Sequence, residues 1–249
     1  MTNKLYFIAN WKMFGNLKSV NTIDNVKKLS KKKEFLKAKI IYCPPYTLLH
    51  EFIKKTKNTK IKIGAQNSHD EIDRGPFTGF ISPKMIKNLG ADFVILGHSE
   101  NRQLGENDFM INKKIKSALK ANLKVVFCFG EKLQERKKNK SNFVIKRQIS
   151  HSLYKVSNLK NLIFAYEPVW SIGTGKVLKI EDLKKQFIDI RFIIKKVCRI
   201  KEPKVLYGGS VNTSNIENLK KIKEINGFLV GGASQDSKKF IDIIKKTIN

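Results

Sequence analysis

The chain has 249 residues, 41% of them hydrophobic, and sets 50 Lys and Arg against 21 Asp and Glu, for a formal net charge of +29. That length can bury a full core, and with no linker or low-complexity block to divide it, one domain over residues 1–249 is expected. No apolar run approaches the roughly 20 residues a membrane span needs, the start has no signal-peptide layout, and three scattered cysteines (Cys43, Cys128, Cys198) suggest neither a disulfide framework nor a zinc site, so a cytoplasmic protein without membrane association is expected.

The charge points toward a polyanion partner, because basic surfaces attract nucleic acids and membranes. Its composition points away from one. The excess is nearly all Lys, alongside abundant Asn, Ile and Phe, the mixture that A/T-rich codons produce, whereas nucleic-acid readers concentrate Arg for bidentate contacts. Nucleic acid is therefore not expected as a partner, although the charge favours capture of small anions.

In chain order, the apolar run Leu5–Ala9 leads to Asn10, Trp11 and Lys12. Most lysines here read as solvated charges, but one at a strand end between Trp11 and Met13 reads as a positioned ammonium. An amphipathic stretch, Ile23–Leu29, separates this run from Ile40–Cys43, and Ile61–Ala65 follows. Phe93–Leu96 runs into Gly97-His98-Ser99-Glu100; if a short helix starts there, its N-terminus favours neutral imidazole at His98. After the helical stretch Ile111–Leu119, the run Val125–Phe129 leads to Gly130 and Glu131, read as support for a barrel rim, with Cys128 read as packing rather than nucleophile.

Leu162–Tyr166 delivers a carboxylate, Glu167, followed by stiff Pro168, bulky Val169-Trp170 and Ile172-Gly173-Thr174-Gly175, whose glycines free the backbone to bend and expose N–H groups. A base on a strand end, an apolar flap and a glycine-rich cradle describe a lid closing over a phosphorylated substrate. After the helical Leu183–Val197 come Val205–Tyr207 and Phe228–Val230, each leading into a glycine pair: Gly208-Gly209-Ser210 and Gly231-Gly232, with helices expected from near Thr213 and Asp236. Such pairs ahead of helices suit a phosphate group held by Ser210, Gly231 and Gly232. By themselves they say only that a phosphate binds here.

Eight continuous apolar runs, each followed by a helical segment, indicate an α/β fold, a closed (β/α)8 barrel, with the chemistry at the C-terminal strand ends. The segments NWKM (10–13), GAQN (64–67), FTG (77–79), GHSE (97–100), CFGE (128–131), AYEPVWSIGTGK (165–176), YGGSV (207–211) and VGGAS (230–234) together resemble the triosephosphate isomerase family over the whole chain and in the right order. The resemblance implies interconversion of D-glyceraldehyde 3-phosphate and dihydroxyacetone phosphate through an enediolate, in glycolysis and gluconeogenesis, without metal or organic cofactor. It assigns Glu167 as general base, His98 as neutral electrophile and Lys12 with Asn10 as groups facing the substrate oxygens. Gly173, Ser210, Gly231 and Gly232 would grip the phosphate.

The resemblance also implies a homodimer formed through the loop around Phe77, Thr78 and Phe80. Here the sequence departs from the family, which usually has Glu at Phe80 and Arg at Asn101, a pair that meets across the dimer. Losing both partners costs far less than stranding one, so a more apolar contact near Phe80 is expected. Ser171 stands where the family has Ala, and Val177-Leu178 where its lid hinge has small or hydroxyl residues, which bears on lid motion rather than chemistry. The stretch after Gln103 is one residue shorter than usual, and Leu104 to Asp108 receive no role.

Overall fold

The computed structural model describes residues 4–175 and 178–248. Eight parallel strands, β1 (Leu5–Asn10), β2 (Ala38–Cys43), β3 (Lys62–Ala65), β4 (Phe93–Leu96), β5 (Lys124–Phe129), β6 (Leu162–Tyr166), β7 (Val205–Tyr207) and β8 (Gly227–Val230), pair in sequence order, and β8 returns to β1 to close the barrel. The helices are α1 (Ile23–Ser30), α2 (Tyr46–Thr56), α3 (Pro83–Leu89), α4 (Ser99–Gln103), α5 (Asp108–Lys120), α6 (Leu133–Lys137), α7 (Ser141–Ser152), α8 (Ile180–Cys198), α9 (Ile216–Leu219) and α10 (Ser237–Ile248). None is long and apolar enough to cross a membrane.

The strands read as unbroken apolar runs because both faces are covered. Inward residues such as Ile8, Ile41, Ile95, Val126, Ile163, Leu206 and Leu229 form one buried cluster that fills the barrel. Outward residues such as Phe7, Val94, Phe127 and Phe164 form a second, larger cluster with the helices. The longest helix, α8, buries Leu183, Phe187, Ile190 and Ile194 at three- and four-residue spacing, carries Glu181 and Asp182 in its first turn and Lys195 and Lys196 in its last, and stops at Arg199 in the left-handed region (φ 57°).

One expected helix start shifts. The chain after β7 does not enter a helix near Thr213 but at Ile216, because Asn212 Oδ1 accepts the backbone N–H groups of Ser214 and Asn215 and holds the intervening residues in a turn. The last helix starts at Ser237, where Asp236 Oδ1 accepts the N–H groups of Lys238 and Lys239.

Candidate active site

At the C-terminal end of the barrel, Asn10, Lys12, His98, Gly173, Ser210, Gly231 and Gly232 line one cavity of about 240 Å³, together with Gly208 and Gly209. These seven candidates come from five different strand ends. The eighth, Glu167, does not line the cavity, and its carboxylate lies just behind the wall.

Lys12 takes a left-handed backbone (φ 54°), unusual for a side-chain-bearing residue and worth about 1–2 kcal/mol of strain. Two contacts hold it there: its N–H donates to Asn10 Oδ1 (3.1 Å), and Gln66 Nε2 donates to its carbonyl (2.8 Å). The strained turn aims Lys12 Nζ across the cavity to Glu100 Oε1 at 2.7 Å. Trp11, buried beneath, donates from Nε1 to the Ser234 carbonyl (3.1 Å) and ties this turn to the loop after β8.

His98 is the N-cap of α4, turned out of β4 by Gly97 at φ 75°. A β-carbon at Gly97 would stand 2.9 Å from the Cys128 carbonyl, so only glycine fits without a shift. The backbone N–H of Glu100 donates to His98 Nδ1 (3.3 Å), which puts the proton of a neutral ring on Nε2. A Glu100 carboxylate oxygen also lies 3.5 Å from Nδ1, but a carboxylate cannot donate, and Glu100's other oxygen is held by Lys12. His98 Nε2 faces Glu167 Oε1 at 3.4 Å.

Glu167 is 1% exposed. The N–H of Ser99, in the first turn of α4, donates to its Oε2 (3.1 Å), while Oε1 is buried without a hydrogen-bond partner among the described residues. Glycines make room for it on two sides. A β-carbon at Gly130 would lie 1.8 Å from the Glu167 carbonyl oxygen, and one at Gly208 2.9 Å from its Cγ. Cys128 sits beside this carboxylate, and burial first, with the Glu167 charge second, pushes its thiol well above the usual range. It stays protonated, as a packing residue should.

The segment that follows Glu167 is held by Glu131, fully buried after β5. Its carboxylate accepts from Tyr166 Oη (3.1 Å), Trp170 Nε1 (3.2 Å) and Arg136 Nη1 (3.1 Å), and its carbonyl accepts the Val169 N–H (3.1 Å). The buried tyrosine hydroxyl is pushed up by burial and then by this carboxylate, so it remains a donor. Rim support at Glu131 takes the form of a brace on the segment after β6. Ser171 in that segment meets the loop after β7, where its Oγ accepts the Ser210 N–H (3.3 Å) and shares a hydrogen bond with Tyr207 Oη (3.3 Å). Of the hinge pair Val177-Leu178, Val177 lies outside the described residues, as does Lys176; Leu178 packs partly buried against the core.

Sequence alone passed over two residues. Arg102 donates from Nε to the Gly97 carbonyl (2.8 Å) and from Nη1 to Asp108 (2.7 Å), bracing the turn that carries His98. Glu106, in the stretch left without a role, accepts from Asn67 Nδ2 (2.8 Å) and pairs with Lys114. The only signal for either was a single charged residue, shared by dozens of other positions.

A model of the triosephosphate isomerase family matches residues 5–247. The chain belongs to that family. It is 39% identical over 246 residues to the triosephosphate isomerase of Thermodesulfovibrio yellowstonii, covering 97% of this chain and 99% of the relative. Identity with the triosephosphate isomerase of Dictyoglomus turgidum is 43% over 244 residues, 95% of this chain and 97% of the relative. The crystal structure of triosephosphate isomerase from Bartonella henselae superposes with a TM-score of 0.88 at 34% identity, covering 98% of each chain. The activity is therefore that of a triose-phosphate isomerase, an aldose–ketose isomerase acting on triose phosphates. Its glycolytic role follows from that activity.

Proposed function

We propose that the isomerisation proceeds by proton transfer through an enediolate, with Glu167 as the base. Glu167 takes the proton from the carbon beside the carbonyl, the electron pair moves onto the carbonyl oxygen, and the same carboxyl returns the proton to the neighbouring carbon. His98 Nε2–H donates to the oxygen on which charge develops, and the Lys12 ammonium stabilises both that oxygen and the phosphate. Asn10 fixes the Lys12 turn at the cavity wall. Backbone N–H groups of Gly173, Ser210, Gly231 and Gly232 receive the phosphate, and a β-carbon at Gly232 or Gly173 would meet nothing within 4 Å, which is the room an anion needs.

The observation that carries this reading is the pairing of a buried carboxylate, one oxygen unpartnered, with an imidazole whose proton is directed to Nε2. Rotation of Glu167 past Gly208 brings the free oxygen into the cavity. Isomerisation in deuterium oxide tests the route: part of the product is expected to carry solvent deuterium at the carbon that receives the proton, because the carboxyl can exchange its proton before returning it. No deuterium in either the product or the recovered substrate would count against the proton-transfer route.

Ser171 adds a feature to the phosphate grip. Ser171 Oγ and an incoming phosphate oxygen compete for the Ser210 N–H, since a shared N–H bonds each acceptor more weakly. Ser171→Ala removes that competitor, and KM is expected to fall about two- to tenfold, the worth of one net hydrogen bond, in steady-state assays. An unchanged or raised KM would show that the bond does not oppose binding.

We also propose a homodimer built on the loop around Phe77, Thr78 and Phe80, in a cytoplasmic enzyme. Phe80 is 62% exposed, and Phe77 and Phe80 both contact the His69 ring, with centroids 4.4 and 4.9 Å away. Phe80 and Asn101, both uncharged, line the same cavity, so no charge is stranded there by the loss of the other. Met13, Phe14 and Leu17 expose further apolar surface. Sedimentation should give a dimer at micromolar concentration whose stability changes little with salt; a monomer, or a dimer that salt dissociates, would refute the apolar contact.

A further inference from the structure

The N-terminal mouth of the barrel, at the end opposite the cavity, gathers lysines from five strands. Tyr6, Ile41, Phe93, Val126 and Leu206 point into the barrel, so the period-two alternation directs Lys4, Lys39, Lys124 and Lys204 toward the same axis. Lys62 joins them through Gly64, whose β-carbon would meet the inward Cys43 and Phe93. In the strand register Lys39 stands opposite Tyr6 and Lys124 opposite Phe93. Lys39 Nζ lies 5.2 Å from the Tyr6 ring centroid and 5.9 Å from that of Phe93; Lys204 Nζ lies 6.0 Å from the first and Lys124 Nζ 5.7 Å from the second. Three ammonium groups thus converge over two buried rings that floor the barrel.

Some lysines elsewhere have acids beside them: Asp24 faces Lys27 and Lys55, Asp73 faces Lys84, Glu217 faces Lys220 and Asp242 faces Lys246. At the mouth five lysines converge, with Asp92 the one acid paired to them among the described residues. Lys62 pairs with Asp92 (3.0 Å), which is shared with Lys87 (3.1 Å), and among the described residues Lys4, Lys39, Lys124 and Lys204 form no ion pair. Partial burial first, and then Lys124, Lys204, Lys4 and Lys62, holds the Lys39 ammonium below its ordinary range. Like charges gathered at one spot cost free energy that a multivalent anion offsets.

We propose that this mouth binds a small oligophosphate, a chain of three or more phosphoryl groups, with Lys39, Lys124 and Lys204 on the chain and Lys4 and Lys62 at the rim. The convergence on one axis suits a compact anion rather than a nucleic acid, which needs a stripe. The two ring faces already carry ammonium groups and offer no base a stacking surface. Lysine, a compact point charge, binds phosphate without selecting a planar partner.

The test is calorimetric titration with tripolyphosphate at low ionic strength, with equilibrated triose phosphates saturating the cavity at the other end. One-to-one binding is expected. Lys39→Met/Lys124→Gln/Lys204→Gln should lose about tenfold or more in affinity, with a flatter salt dependence, because fewer charges are neutralised. Lys184→Gln/Lys185→Gln/Lys238→Gln, an equal charge loss on exposed helix positions, should retain wild-type affinity. Met at position 39 keeps the apolar stem over Tyr6, and unchanged isomerase kcat in both triple variants verifies folding. Equal losses in the two variants, absence of saturable binding, or duplex DNA binding that depends on the mouth lysines while tripolyphosphate does not bind, would each overturn the proposal.

Discussion

Replacing Glu167 with Gln is expected to lower kcat by about 10²- to 10⁴-fold, the range general-base catalysis contributes, with KM changed by no more than a fewfold. An amide has the volume of the carboxyl and its oxygen can still accept the Ser99 N–H, so the buried position and the fold should survive. What the amide cannot do is hold the proton between its removal and its return. Of the phosphate grip only Gly173 shares the loop of Glu167, while Ser210, Gly231 and Gly232 lie after β7 and β8, so substrate binding is left largely intact. Steady-state kinetics in both directions measure the effect. A variant retaining more than a tenth of wild-type kcat would remove Glu167 from the role of base, whatever its place beside His98.

The second large effect is at Lys12. Lys12→Met should lower kcat/KM by about 10³-fold, roughly 4 kcal/mol of transition-state stabilisation, and unlike the Glu167 change it should raise KM as well. The charge at Nζ acts on the phosphate in the ground state and on the enediolate oxygen as it forms, so both parameters respond. Methionine keeps the side-chain stem but leaves Glu100 without its 2.7 Å partner at the cavity edge, adding a repelling charge near the incoming dianion. Lys12→Met/Glu100→Gln separates the two effects: recovery of KM without recovery of kcat is expected. Equal recovery of both would mean that Lys12 acts only by neutralising Glu100.

The barrel was legible because covered strands leave a strong trace. Phe93–Leu96, Leu162–Tyr166 and Val205–Tyr207 coincide with the apolar runs at both ends, since the apolar side chains stop where each strand gives way to the glycines and polar residues that follow it. The helix after β7 was less legible. Its start was set by a side-chain turn at Asn212, one of several Asn and Ser residues there with equal capacity to form it.

Among the site residues, Asn10, Lys12, His98, Ser210 and the glycines were all readable as polar or glycine positions directly after apolar runs, and they do meet in one cavity. Glu167 was readable as an identity but not as a position. Its seat behind the wall depends on the Ser99 N–H of another strand end and on space left by Gly130 and Gly208.

The sequence by itself determined the strand–helix order, the family and the identity of the groups available for chemistry, because these follow from local periodicity and from contiguous motifs. Tertiary structure alone decided which group restrains which. It set the Ser171 oxygen on the Ser210 N–H, put Arg102 under the His98 turn and Glu131 on the Trp170 hinge, and left five lysines that are scattered along the chain facing one mouth. Apart from Arg102, which is five residues from Gly97, each of these joins residues on separate elements, and barrel closure, not chain proximity, sets their distance.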